Sequence, residues 1–300
     1  MTPKYDIFCY GEIGIDNIIQ VPHLPRPELA AFPTGDSYHL GGAAANSAAC
    51  LGNWGVAVGL SGNKYGQDPY GRMLRTQLDD KAGLDLRYVE QAEDVVTPFT
   101  RALVTPDGDR SFLIYGYPQA PKVPLTAEML AGAQFLALDL YGGPERLAAA
   151  QTAHAAGVIN VISDIIDPEH PALPITGIAN ISAAFIRDRF PGVGVLDHVR
   201  RLQQISKGII VLTDGAEPVV VLDRNGDQFS IQPPQVPAVD ATGAGDAFRS
   251  GLLAGLVRGH DLRTSTRLGV AAGAFKVRHL GAATVLADWD EVEALAGRGK

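Results

Sequence analysis

Short apolar runs recur along this chain, and segments with helical spacing separate many of them. Tyr5 to Tyr10 reads as a buried first strand ending at Gly11. Ile13 to Val21 is rich in β-branched residues and leads into a Pro-rich stretch, His23 to Pro27. Ser37 to Leu40 predicts another short strand. Small residues dominate from Ala43 to Trp54, which predicts a helix packed close to its neighbours. A strand is expected over Val56–Ser61. Met73, Leu74, Leu78 and Ala82 give helical spacing within Tyr70–Ala82. Phe99–Val104 and Ser111–Tyr115 flank a Pro/Gly turn and predict a hairpin.

The character then changes. Phe135–Leu140, Val158–Ile162, Ala183–Ile186 and Ile209–Leu212 read as short apolar strands, with helical stretches between several of them. Such alternation builds a parallel sheet covered on both faces. Val219–Leu222 and Gln228–Ile231 predict a late hairpin. Helices are expected after Asp246, over Arg267–Val277, and over Trp289–Leu295. The expected organisation is one α/β body over residues 1–300. The β-rich segments at about 13–40 and 95–118 fall outside the alternation. Paired in space, they would form a small sheet over the body, a lid able to exclude water from a reaction.

Composition narrows the partners. Apolar residues make up 46% of the 300 positions, enough for a large core, and charged residues only 19%. The net charge is −8 with no basic run, which argues against nucleic acid. Cys9 and Cys50 are too few for a disulfide framework and read as buried free thiols. No apolar run approaches the ~18–20 residues of a membrane span, and the start of the chain carries no export signal. A cytoplasmic protein without a membrane partner is expected.

The chemistry concentrates in Asp240-Ala241-Thr242-Gly243-Ala244-Gly245-Asp246, which runs directly into an apolar helix-like segment. A bare turn opening a helix presents unpaired N–H groups and the positive end of a helix dipole. Asp246 stands at its mouth. An anion cradle beside a base suits phosphoryl transfer: the base takes a hydroxyl proton and the N–H groups hold the developing charge. Taken alone, Asp246 reads equally well as a helix cap. A second Gly-rich element far upstream, Gly41-Gly42-Ala43-Ala44-Ala45-Asn46, shifts the balance towards chemistry.

These two elements, in this order, resemble the ribokinase-like (PfkB) family of carbohydrate and nucleoside kinases. So do Gly11-Glu12-Ile13-Gly14-Ile15-Asp16, the 62–71 turn, the 105–111 hairpin turn and Val211-Leu212-Thr213-Asp214-Gly215. The resemblance implies a three-layer α/β/α fold with a mostly parallel central sheet and a small β-sheet lid. It implies an ATP-dependent sugar kinase, with a nucleoside kinase as the alternative within the family. A non-catalytic sugar or nucleotide sensor is the rival from another class, and Asp246 speaks against it because a sensor needs no base.

By position, the resemblance makes Asp246 the general base and Gly243, Ala244 and Gly245 the anion hole. Asp16, Gly41, Gly42 and Asn46 would grip the acceptor's hydroxyls. Thr213 and Gly215, with Val270 and Gly273, would line the nucleotide site. ATP and Mg²⁺ are implied, and a monovalent cation such as K⁺ is implied at Asp240, Thr242 and Gly281, with carbonyls near Lys276. A homodimer formed through the lid is expected. Two departures stand out. Ala241 replaces the usual Thr or Pro. The family's Asn-x-x-Glu motif, which organises waters around magnesium, is missing: Arg187 and Phe190 fall where the Asn and Glu are expected, and Arg187 would offset part of that loss at the phosphates.

Overall fold

The computed structural model describes residues 4–28, 30–107 and 110–297. An interior strand of its large sheet, β1 (Ile7–Gly11), sends alternate side chains to two cores. Ile7 and Cys9 enter one, and Phe8 and Tyr10 the other. After β1 the chain leaves the body. It makes β2 (Gly14–Gln20) and β3 (Gly35–Gly41), then returns through α1 (Ala43–Asn53), β4 (Val58–Gly62), α2 (Pro69–Asp79) and the short β5 (Leu84–Asp85). A second excursion makes β6 (Phe99–Val104) and β7 (Arg110–Tyr115). The chain then runs through β8 (Phe135–Asp139), α3 (Pro144–Ala155), β9 (Ile159–Ser163), β10 (Thr176–Ser182), α4 (Ala183–Arg189), α5 (Val195–Ser206) and β11 (Ile209–Thr213). The antiparallel pair β12 (Val219–Leu222) and β13 (Gln228–Ile231) follows, then α6 (Ala244–Val257), α7 (Leu262–Lys276) and α8 (Trp289–Ala296).

The large sheet has the order β13-β12-β11-β10-β9-β8-β1-β4-β5 and is parallel from β11 to β5. The core on one face takes Ala45, Leu252 and Val270 from α1, α6 and α7. The core on the other takes Ala149 and Leu202 from α3 and α5. Burial on both faces explains why these strands read as continuous apolar runs. The two excursions pair as expected into a separate sheet of order β3-β2-β6-β7, in which β2 and β6 run parallel. Part of the turn expected at 105–111 lies outside the described residues, at Gly108 and Asp109.

The structure corrects one strand. Residues 183–186 open helix α4, and the strand is β10, which ends at Ser182. Gly177 and Asn180 break the apolar run of β10. Ala183 and Ile186 point inward at i, i+3 helical spacing, and in the sequence that short buried face resembles a strand. Helix α7 also begins earlier than expected, at Leu262, because Asp261 caps it by accepting from the Thr264 N–H at 2.7 Å.

Asp68 joins the body to the lid. Its Oδ1 accepts from the Gly71 N–H at 2.8 Å and caps α2, while its Oδ2 accepts from the Thr97 N–H at 2.7 Å, two residues before β6. Asp68→Ala should lower stability by about 1–2 kcal/mol, read as a shift of the urea midpoint. An unchanged midpoint would show that these bonds are exchanged for water without cost.

Candidate active site

Two helices start side by side where the lid meets the body. Gly42, at φ +90°, caps α1, and a Cβ there would stand 2.3 Å from the Glu12 carbonyl. Gly243, at φ +74°, caps α6, and a Cβ there would stand 2.4 Å from that of Ala282. Both positions require glycine, for conformation and for space. Because α1 packs on α6, Asn46 in the first turns of one reaches Asp246 in the first turn of the other. Asn46 Nδ2 donates to Asp246 Oδ2 at 3.1 Å across 200 residues of sequence. Asn46 Oδ1 is buried without a hydrogen-bond partner.

The opening turn of α6 is partly committed. The Ala244 N–H donates to the Ala241 carbonyl at 3.1 Å, and the Ala247 N–H to Gly243 at 2.9 Å. Gly245 is exposed, with no neighbouring atom within 4 Å of where its Cβ would lie. The anion-binding character therefore rests on Gly245 and on the N–H groups of a helix start, with Ala244 engaged elsewhere.

Behind Asp246 lies a buried cation. Arg249 is 1% exposed. One terminal nitrogen donates to Ser163 Oγ at 2.7 Å and to the Leu138 carbonyl at 3.3 Å. The other donates to Ser47 Oγ at 2.7 Å and to the Ala43 carbonyl at 3.1 Å, and it stands 3.5 Å from Asp246 Oδ1. One side chain thus joins the ends of β8 and β9 to the start of α1 and to the carboxylate of α6. Crowding by protein raises the Asp246 carboxyl to about 6, against the opposing pull of Arg249 and Asn46. That suits a base at neutral pH.

Asp16 comes from β2 of the lid and is 6% exposed. A Cβ on Gly41 would stand 2.3 Å from Asp16 Oδ1, so this glycine makes room for the carboxylate. Burial lifts the Asp16 carboxyl to about 7. Repulsion from Asp246 adds to this, and a bond from Thr100 opposes it. Glu12 lies nearby and is also raised, by burial and then by Asp139. Asp139, at the end of β8, is held by Arg146 Nε at 3.1 Å. Asp164, in a left-handed conformation at φ +52°, accepts from the Ser182 N–H at 2.8 Å and the Tyr141 hydroxyl at 2.5 Å. The structure thus brings Asp16, Gly41, Gly42, Asn46 and Asp246 together.

The expected nucleotide residues lie at the end of β11, in the turn after it, and on α7. Thr213 ends β11 and donates to the Ile181 carbonyl at 3.3 Å, and Gly215, at φ +59°, faces open space. Val270 is buried in the core, and Gly273 packs against Ala244 and Phe248 where α7 crosses α6. Arg187 does not stand free to meet phosphates. It falls in the last turn of α4, because β10 ends early, and both its terminal nitrogens are taken by the Asp214 carboxylate. Phe190 caps the end of the same helix. The turn from β10 into α4 offers Ala183, Ala184 and Phe185, with no carboxylate. Among the described residues no group of three or more His, Cys, Asp or Glu side chains is arranged to hold a metal. A magnesium there would take most of its ligands from phosphates and water.

Asp240 is buried, and both its carboxylate oxygens are engaged. Oδ1 accepts from the Thr242 N–H and hydroxyl at 2.8 and 2.7 Å, and Oδ2 from the Gly281 N–H at 2.9 Å. Asp139, Asp164 and Arg249 were not singled out in the sequence. Arg249 had a signal there: it is the one cation in the apolar run after Asp246. The carboxylates at strand ends had none. A surface cleft of about 470 Å³ beside Asp167, Phe190 and His198 holds none of the expected catalytic or binding residues.

Comparison with known proteins shows the family. The family described as "pfkB family carbohydrate kinase" matches residues 4–289, and the chain belongs to it. An acarbose 7(IV)-phosphotransferase of Actinoplanes sp. is 30% identical, covering 92% of this chain and 93% of its own. A nucleoside kinase of Methanothermobacter thermautotrophicus is 27% identical, covering 97% and 95%. The Arabidopsis thaliana ribokinase complexed with ribose and ATP superposes with a TM-score of 0.83 at 20% identity, covering 98% and 99%, and shows the shared fold.

The buried Asp16 keeps its proton in the folded chain up to about pH 7, whereas an unfolded carboxyl releases it near 4. The folded state therefore binds more protons between those values, and stability falls as pH rises through them. Asp16→Asn should raise the unfolding free energy read from urea titration at pH 8 by on the order of 2–4 kcal/mol, and change it little at pH 4. Equal midpoints at pH 8 would show that Asp16 is solvated.

Proposed function

We propose that this kinase transfers the γ-phosphoryl group of ATP to a hydroxyl of a small carbohydrate. The observation that carries the reading is the meeting of Asp246 with Asn46 and Asp16. A base at a helix start stands there beside two groups suited to hydroxyls. Asp16 accepts hydrogen bonds from a sugar, and the unpartnered Oδ1 of Asn46 offers one more acceptor. Asp246 takes the proton of the attacking hydroxyl as its oxygen bonds to the γ-phosphorus and the bond to the ADP oxygen breaks. The open start of α6 at Gly245 faces the charge that develops on the transferred group. Magnesium, when bound with ATP, supplies charge neutralisation on the phosphates. Thr213 and Gly215 would border the nucleotide.

A ribose or ketose is the first choice of acceptor. The acarbose phosphotransferase among the relatives supports a carbohydrate, and the nucleoside kinase keeps a ribose bearing a base as the second reading. A coupled ADP-release screen over ribose, fructose, 2-keto-3-deoxygluconate, adenosine and inosine separates these readings. On the best acceptor, Asp246→Asn should lower kcat by roughly 10²–10⁴-fold with ATP binding retained. Because the base acts ionised, turnover of the natural protein should fall as pH drops through about 6. Turnover of the variant within a few-fold of the natural protein would remove Asp246 from the chemistry.

The lid also supports a homodimer. β7 is the edge strand, and Phe112, Leu113, Ile114 and Tyr115 are each more than 40% exposed along it. Light scattering should give twice the monomer mass at micromolar concentration, and a monomer there would overturn the pairing.

A further inference from the structure

The sequence resemblance placed a monovalent cation at Asp240, Thr242 and Gly281. The residues present do not fit one, because a cation of the chain's own stands there. Lys276 is 3% exposed. Its Nζ donates to the Asp240 carbonyl at 2.6 Å and to the His279 carbonyl at 3.1 Å, and it stands 3.7 Å from Asp240 Oδ2. These are a carboxylate and backbone carbonyls, the hard oxygen donors that suit an alkali cation. The remaining capacity of Asp240 is taken by Thr242 and Gly281. A second cation within about 3 Å of a buried ammonium would meet strong repulsion at low dielectric.

We infer that the Lys276 ammonium is a built-in substitute for a monovalent metal ion, and that it braces the anion-binding turn from behind. Three observations give it that role. Lys276 lies in the last turn of α7, where a positive charge complements the negative helix end. Its two carbonyl partners belong to different loops, so one ammonium fastens 240–243 to 277–281. The same loops are joined by the Val239 and Asp240 N–H groups, which donate to the Val277 carbonyl at 2.7 and 3.1 Å. The braced segment ends at Gly243, pressed against Ala282. Gly243 is the cap of α6, so a shift in the loop would displace Gly245 and Asp246. Lys276 touches no reacting atom and is a positioning residue.

The inference rests on the kinase reading only for its turnover readout, so a second readout is taken without any acceptor. Thermal unfolding and ADP release are measured in potassium chloride and in tetramethylammonium chloride at equal ionic strength. In the natural protein, Tm and turnover should agree between the two salts, turnover within about twofold. In Lys276→Ala, the vacated space lies among the Asp240 and His279 carbonyls. Turnover there should drop at least tenfold in tetramethylammonium, and potassium should restore part of it and raise Tm. A potassium-dependent rise in Tm or a several-fold rise in turnover of the natural protein would overturn the assignment. If Lys276→Ala does not fold, Lys276→Arg and the natural protein still decide, because the salt comparison on either needs no cavity. If no acceptor is phosphorylated in any salt, the kinase reading fails while the Tm comparison still tests Lys276.

Discussion

A crowd of carboxylates at one end of the sheet shapes the rest of this structure. Asp139 and Asp164 lie at the ends of β8 and β9, Asp16 on the lid and Asp246 on α6; Asp139 and Asp164 raise the proton affinity of Asp246, and Asp246 raises that of Asp16. Left alone at low dielectric, such charges would drive the lid and the body apart. Buried cations hold them in place: Arg249 reaches Asp246, and Arg146 reaches Asp139. Arg249 does more than neutralise, since its four hydrogen bonds fasten two strand ends to the first turn of α1. Removing either partner of such a pair would leave a buried charge uncompensated.

The pairing is incomplete by design of the fold. Among the described residues no ion pair holds Asp16, and the charge that acts on it most strongly is that of Asp246. Stability is lost there, because a buried carboxylate without a paired cation is costly to ionise. The lid makes this placement possible. β2 carries Asp16 from outside the parallel sheet, and Gly41 yields the space its carboxylate occupies.

The same logic extends to Asp240, where the neutralising charge is an ammonium on α7. Asp240, Lys276 and Gly281 join the turn before α6 to the loop after α7. Among the described residues the two helices are the most extensively packed pair, with Gly251 and Gly269 at their crossing close to backbone of the facing helix. The start of α6 is therefore held from below by helix packing and from behind by the lysine, while its front at Gly245 stays open.

Much of the architecture was legible in the sequence because its signals are local. Alternation from Tyr5 to Tyr10, small residues over 43–54, and glycines at 41, 42 and 243 each report a backbone or burial requirement at their own position. The two Gly-rich motifs also located Asn46 and Asp246. Local patterning misled at 183–186, where the buried face of a short helix looks like a strand, and that slip put Arg187 at the phosphates instead of on Asp214. Sequence patterning was enough for most strands and helices and for the glycines at the starts of α1 and α6, though not for 183–186 or for the Asp261 cap of α7. Only the tertiary structure decided that Asp139 and Asp164 join the site, that Arg249 turns inward, and that the Lys276 ammonium lies on the Asp240 carbonyl. The physical reason is that electrostatic pairing depends on distance and burial. Neither is written in the spacing of residues that lie 36 to 206 positions apart.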